Sequence, residues 1–244
     1  MRLRPTHPLV AASVCVAAAI VFAAASATPV AGFAKNPHVK PPNAQTEGMN
    51  NAEWSARWWQ AIAATPVGDF QSACEIERVG KVALFLASGG APVTFDCSVE
   101  SGVSMFLPVF TAALWCPSDC GPGTAAPTGT FDEMDGLIRG LLDAVDPDSQ
   151  FSVEIDGKDV RDLGDYRAHA PEFSGYVDPD GLLGVLGPQA IGPAAAGGYW
   201  LMVKPLPPGE HVIHIYADML GLLGVDFDTT INLTVEKKEK KPKK

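Results

Sequence analysis

Between Gly80 and Val109 the apolar and polar positions follow the period of β-strands. Lys81 to Leu86 is apolar on both faces, the pattern of a central strand covered from both sides. Ser88-Gly89-Gly90 reads as a turn. In the next run, Val93, Phe95, Cys97 and Val99 point one way, and Thr94, Asp96 and Ser98 the other. Gly102 interrupts the pattern, and Val103, Met105, Leu107 and Val109 resume it. The stretch predicts a three-strand meander that the rest of the chain completes.

Two segments change to the helical period. In NNAEWSARWWQAIAATP, Asn50 or Asn51 is the cap, Glu53 lies in the first turn and Pro66 is the stop. Trp54, Trp58, Ala61 and Ile62 form one stripe, with Trp59 beside it, and a stripe of this kind faces a core. Thr130 to Asp146 is the second helix, with Thr130 and Glu133 matching a capping box. Its stripe is Met134, Leu137, Ile138, Leu141, Leu142 and Val145. Gly136 and Gly140 each weaken that helix by about 1 kcal/mol relative to alanine. They are read as permitting close approach to a sheet or to another helix.

The remaining segments read as strands. FSVEIDGKDVRD is a hairpin turning at Asp156-Gly157. Ala112–Trp115, Asp165–Ala170, Gly198–Lys204, Glu210–Ala217 and Thr229–Val235 follow, and Pro108 marks an edge or a bulge. Ser174 to Gly197 reads as a long loop. About nine short strands separated by Gly/Pro turns, with two peripheral helices, predict an all-β fold, a sandwich of jelly-roll type.

Residues 1–27 carry the marks of a signal peptide. Arg2 and Arg4 are the basic region, Leu9 to Ala24 is the apolar run, and Ala25-Ser26-Ala27 is a small-x-small cleavage site. An uncleaved anchor is the rival reading, since apolar sequence continues to Phe33, but the strongest run falls short of the ~20 residues of a comfortable span, so cleavage is favoured and no membrane span is expected in the mature chain. Cys15 lies inside the run behind Val14 and is not read as a lipid-attachment site. Residues 28–47 read as linker, 48–236 as the sandwich domain and 237–244 as a lysine-rich disordered tail. The compartment is extracytoplasmic, secreted or periplasmic.

Four cysteines remain after cleavage: Cys74, Cys97, Cys116 and Cys120. Three pairings are open to them. The favoured one joins Cys74 to Cys97 and closes the Cys116–Cys120 loop. Zinc is the rival use, although the C-x₂-C spacing is missing. The formal charge of −10 hides an asymmetry: residues 44–235 carry 8 Lys/Arg against 26 Asp/Glu, while Glu236 to Lys244 carries 6 Lys and 2 Glu. An acidic body argues against nucleic acid as a partner.

A run of motifs has a further implication. Trp54-Ser55-Ala56-Arg57-Trp58-Trp59, Cys74, Val82 to Leu86, Cys97 to Pro108, Ile155-Asp156-Gly157, Tyr166-Arg167, Gly198-Tyr199-Trp200 and Pro208-Gly209-Glu210-His211 occur in order. In this order they resemble a family of exported, uncharacterised bacterial and archaeal β-rich proteins. The resemblance spans about residues 50–236. It implies a secreted sandwich with a Cys74–Cys97 bridge, and it implies no activity.

Candidate chemistry is sparse. No G-x-S-x-G is present, and disulfide formation removes the cysteines as nucleophiles. His211 and His214 stand three apart on one strand, so they face opposite sides and cannot share an ion without a bulge. His169 is the third candidate for a ligand site. Asp146/Asp148, Asp178/Asp180 and Asp226/Asp228 place carboxylate pairs at turns, where calcium is the candidate ion. Aspartate also favours turns for its own backbone bonds. Trp59, Trp115 and Trp200 are candidates for an aromatic strip that binds an extracellular polymer. Finally, Gly181-Leu182-Leu183-Gly184-Val185 recurs as Gly221-Leu222-Leu223-Gly224-Val225. Leucines at two loop tips either pack on each other or form a partner contact. The expectation is a non-catalytic binding or structural module for an extracellular polymer or envelope partner. The alternatives are a hydrolase working with carboxylates or a metal, and an assembly component docking through its GLLGV loops.

Overall fold

A computed structural model describes residues 36–66, 74–86, 90–116, 118–181 and 189–238. The signal-peptide segment, most of the lysine tail, and Leu182 and Leu183 lie outside the described residues. In chain order the elements are helix α1 (Asn51–Ala64), strands β1 (Glu75–Val79), β2 (Val82–Phe85), β3 (Gly90–Glu100) and β4 (Ser104–Trp115), then helices α2 (Phe131–Asp143) and α3 (Pro147–Gln150). Next come β5 (Phe151–Ile155), β6 (Lys158–Asp159), a 3₁₀ turn (Leu163–Tyr166), β7 (Arg167–His169), β8 (Phe173–Val177) and β9 (Gln189–Val203). The last are β10 (Gly209–Met219), the short helix α4 (Leu220–Leu223) and β11 (Val225–Glu236).

Two mixed sheets form an all-β sandwich with peripheral helices. The first has the order β1-β2-β4-β9-β7, with β8 also on β9; the second has the order β3-β11-β10-β5-β6. Their facing sides enclose the main core, which includes Phe85, Met105, Leu107, Leu201, Ile155, Ile213, Ile231 and Leu233.

The expected meander is corrected. β2 and β4 pair directly and in parallel, while β3 leaves them to pair in parallel with β11 of the other sheet. The pattern of β3 gives the reason. Cys97 and Val99 are buried, and Thr94, Asp96, Ser98 and Glu100 are exposed, which suits an edge strand with one wet face. β2 is buried at every residue, because α1 covers the face that the second sheet does not. Pro108, in a central strand, sits where the β4–β9 register shifts, so the bulge alternative holds.

The predicted loop of residues 174–197 is corrected as well. β8 and the first half of β9 occupy much of it. The stretch Gly192-Pro-Ala-Ala-Ala-Gly-Gly198 lacks strand-forming side chains, yet it ladders against β4 from Thr111 to Trp115. Its small residues are required by what covers it. Ala194 and Ala196 pack with Ala56 and Ala63 of α1, and Ala195 packs with Met134 of α2 on the other face. A Cβ at Gly197 would lie 2.8 Å from Ile138 Cγ2 and 3.0 Å from Leu142 Cδ1, and one at Gly198 would collide with Phe110 O. The close approach between helix and sheet therefore uses glycines of the sheet. Gly136 and Gly140 of α2 face open space instead.

Both long helices start as their sequences require. Asn50 and Glu53 form a reciprocal capping box on α1. On α2 only half of the box forms: Thr130 accepts from Glu133 N, while the Glu133 carboxylate turns to the backbone N–H groups of Thr128 and Gly129. Along the stripe of α2, Met134, Ile138 and Leu142 are buried and Leu137 is exposed. Residues 36–47, expected as linker, run against the β9 edge. Lys40 N donates to Met202 O, Lys204 N donates to His38 O, and Val39 is buried.

Cys74 bonds to Cys97 and Cys116 to Cys120. The first bond joins the lead-in to β1, an edge of one sheet, to β3, an edge of the other.

The two kinds of glycine differ in their expected response to alanine. Gly136→Ala should raise stability by about 0.5–1 kcal/mol through helix propensity. Gly197→Ala should lower it by about 1–3 kcal/mol, because Ile138 and Leu142 have to move. Chemical denaturation of the two variants reads the difference, and equal effects would refute the packing described.

Candidate functional site

The tryptophans fold inward. Trp54, Trp58 and Trp200 are buried, and Trp115 is only 8% exposed. Trp200 stacks on Phe106 with ring centroids 5.0 Å apart. The indole N–H groups of Trp54, Trp58 and Trp59 donate to Thr46 O, Phe85 O and Thr111 Oγ1. Trp59 is half-buried between Trp58 and Trp115. The expected aromatic strip of Trp59, Trp115 and Trp200 is thus a packing layer between α1 and the first sheet. Helical spacing aims Trp54 and Trp58 at the sheet, and Trp115 and Trp200 rise from the sheet to meet α1.

The histidines separate into three neighbourhoods. His169 lies on β7 in the first sheet, and His211 and His214 lie on β10 in the second. The ring of His211 is nearly enclosed. Its Nδ1 is 2.8 Å from Asp156 Oδ2 and its Nε2 is 2.8 Å from Pro207 O, so both nitrogens face acceptors. Burial works against protonation of His211, but these two bonds outweigh it and raise its pKa. Asp156 sits in the left-handed region at φ 53°, inside the predicted Asp-Gly turn, and also accepts from Val212 N. Burial opposes its ionisation, yet His211 and Val212 N–H hold its pKa below the ordinary value. His214 faces the opposite side of β10 and bonds Asp228 Oδ1 at 2.9 Å.

His169 enters a cluster that joins α2 to β7. Asp135, Arg139 and Asp143 repeat at i, i+4 along one side of α2. Arg139 donates to Asp135 at 2.6 Å, and Arg167 donates to Asp143 at 2.6 Å. Arg167 Nε also donates to His169 Nε2 at 3.2 Å, and its other arm reaches Arg139 O. His169 Nδ1 and Asp135 Oδ1 face each other 3.4 Å apart. Neither of those two atoms has a formed hydrogen bond among the described residues. Burial lowers the His169 pKa, and the Arg139 and Arg167 guanidiniums lower it further against the pull of Asp135. The imidazole is therefore neutral, with its Nε2 lone pair committed to Arg167. It works as a spacer between two cations, and the cluster latches a helix to a sheet. The other four members of this cluster, Asp135, Arg139, Asp143 and Arg167, were not singled out from the sequence, although the D-x₃-R-x₃-D spacing of α2 and the Tyr166-Arg167 strand were the available signals.

Two of the three aspartate pairs are occupied by their own turns, and the third, expected beside a turn, lies on a strand. Asp146 caps α3, accepting from Asp148 N and Ser149 Oγ, and Asp178 accepts from Asp180 N at 2.8 Å. Asp226 and Asp228 lie on β11, opposite Asp218 and Tyr216. Among the described residues no group of three or more His, Cys, Asp or Glu side chains is placed to hold a metal. Two surface hollows of about 310 and 330 Å³ are lined by Arg57, Gln60 and Glu77 and by Glu172, Ser174 and Pro193, among others. Neither includes a histidine or a tryptophan.

The second GLLGV copy is placed differently. β5 pairs with β10 only as far as Ala217, and β3 meets β11 from Phe227 onward. The β10–β11 ladder continues past both neighbours, through Asp218–Asp226 to Met219–Val225. Met219 is buried at the base of this tip. Beyond it Leu220, Leu222, Leu223 and Val225 are 60, 40, 45 and 41% exposed. The tip is closed by its own bonds: Leu220 N donates to Asp218 Oδ1, and Gly224 N, at φ 74°, donates to Leu220 O. Leu222 and Leu223 were expected from the repeat. Leu220 and Val225 join them through the hairpin geometry.

Comparison with protein-family models, curated proteins and solved structures finds no match. The fold and its surfaces define a class: a disulfide-stapled β-sandwich with packed tryptophans and one apolar hairpin tip. No helix among the described residues is long and apolar enough to cross a membrane.

The two enclosed histidines titrate with opposite sign. His169, with its folded pKa below the ordinary 6.5, contributes stability that is complete above 6.5 and is lost as pH falls through the folded value. His211, with its folded pKa raised, contributes stability that is complete below 6.5 and is lost as pH rises through the folded value. NMR titration should place His169 below 6.5 and His211 above it. His169→Gln should flatten the acid limb of the stability profile and His211→Gln the neutral limb; the reverse order would overturn the assignment.

Proposed function

We propose that this chain is an extracytoplasmic, non-catalytic module that docks a partner surface through the apolar tip of the β10–β11 hairpin. The exposure of Leu220, Leu222, Leu223 and Val225, four aliphatic side chains within six residues, carries this reading. The largest contiguous apolar patch on a monomeric protein is often a functional contact surface. Among the described residues the other large exposed apolar side chains, Leu137, Tyr176 and Val212, are scattered singly. Two disulfides are compatible with an oxidising compartment, as is the signal-peptide pattern of residues 1–27. The residues of the rival readings stand apart or inside. The three histidines occupy separate sites, and the tryptophans are spent on packing.

Compartment and surface have separate tests. Expressed whole in a bacterial host, the chain should be recovered outside the cytoplasm, beginning at Thr28, with four oxidised cysteines by mass spectrometry. Recovery in the cytosol with residues 1–27 intact would defeat the export reading. On a hydrophobic-interaction column the purified protein should be retained, and Leu222→Asp/Leu223→Asp should elute markedly earlier at an unchanged melting temperature. Unchanged retention would show that the tip is not the apolar contact surface.

A further inference from the structure

We infer that the β10–β11 tip inserts into an electrically neutral lipid surface; this rests on the docking reading above and names its partner. The size of the tip is the first argument. Four partly exposed aliphatic side chains offer a few hundred Å² at most, whereas a stable protein interface needs about 800 Å² on each partner. A bilayer requires no complementary partner surface, and a protruding wedge of this size suits it. The shape of the tip is the second. The hairpin extends beyond β5 and β3, so the leucines reach a plane ahead of the neighbouring strands. Residues 219–225 carry no charge, and their turn is fixed by Asp218 and Gly224, so insertion orders little new chain.

Charge selects the kind of lipid. Asp218 and Asp226 form a directly opposed pair at the shoulders of the tip, with Asp228 one step behind. Among the described residues the ring of His214 bonds Asp228, and no Lys or Arg ion pair is formed by Asp218, Asp226 or Asp228. Anionic headgroups would meet this acidic collar and a strongly acidic body. Lys237 and Lys238 follow the far end of β11, roughly 35 Å from the tip along the strand. They stand too far away to offset the collar across a physiological Debye length of about 8 Å. Zwitterionic headgroups carry no such penalty.

The experiment is flotation of the mature chain with phosphatidylcholine vesicles, and with the same vesicles containing phosphatidylglycerol, alongside sedimentation velocity without lipid. Wild type should float with phosphatidylcholine vesicles and no better with the anionic ones. Leu222→Asp/Leu223→Asp should bind at least about tenfold more weakly. Leu220→Ala, a milder change, should fall between them, which guards against a folding defect in the double variant. Two results would overturn the lipid inference and leave the docking reading standing. One is a protein that the tip retains on the hydrophobic column but that floats with neither vesicle. The other is a concentration-dependent oligomer that the same substitutions dissolve. Stronger binding to the anionic vesicles would overturn the role given to the aspartate collar. Equal flotation of wild type and both variants would overturn docking through the tip altogether.

Discussion

The space left for a Cβ atom on the first half of β9 governs much of this architecture. That strand ladders with β4, β7 and β8, and two helices press on its opposite faces. Ala194, Ala195 and Ala196 are fully buried, and a Cβ at Gly197 or Gly198 would collide with its neighbours. With larger side chains α1 and α2 would stand off, and the tryptophan layer and the polar latch would lose their contacts. Sheet backbone hydrogen bonds hold a segment of poor strand propensity in place here because β4 supplies a matched ladder on one side and β7 and β8 on the other.

This explains which parts of the fold were legible in the sequence. Strands with alternating or doubly apolar patterns were readable, as were helices with caps, because burial of side chains writes those patterns. The GPAAAGG segment left no such trace, since its contribution is the absence of side chains. The partner of each strand was also hidden. Val93 to Val99 and Val103 to Val109 carry similar alternation, and nothing local says that they belong to different sheets. The sorting comes from α1, which covers the outer face of β2 and β4, and from β11, whose pairing captures β3.

The candidate site was legible to different depths for different residues. The repeated GLLGV motif pointed to Leu222 and Leu223 by its oddity, and their exposure follows from a hairpin longer than its neighbours. The parity argument placed His211 and His214 on opposite faces, and the structure keeps them there. Asp156 as the partner of His211 depends on how the Asp-Gly turn folds back over β10, a contact spanning 55 residues. Arg167 reaches His169 along its own strand β7, whereas the approach of Asp135 to His169 depends on where α2 settles, which the small residues of β9 decide.

The sulfur bridge between Cys74 and Cys97 has a consequence for the two strands it flanks. β1 and β3 are each the last strand on their side of a sheet, and bare outer strands are templates on which foreign chains can polymerise. Tethered across the gap, the two rims are held close, and Glu75, Glu77 and Arg78 on one and Asp96 and Glu100 on the other line that border with charge. In a compartment that keeps thiols reduced the border would be free to gape. Oxidation of this cysteine pair thus acts as a safeguard against runaway strand addition, beyond any gain in thermodynamic stability.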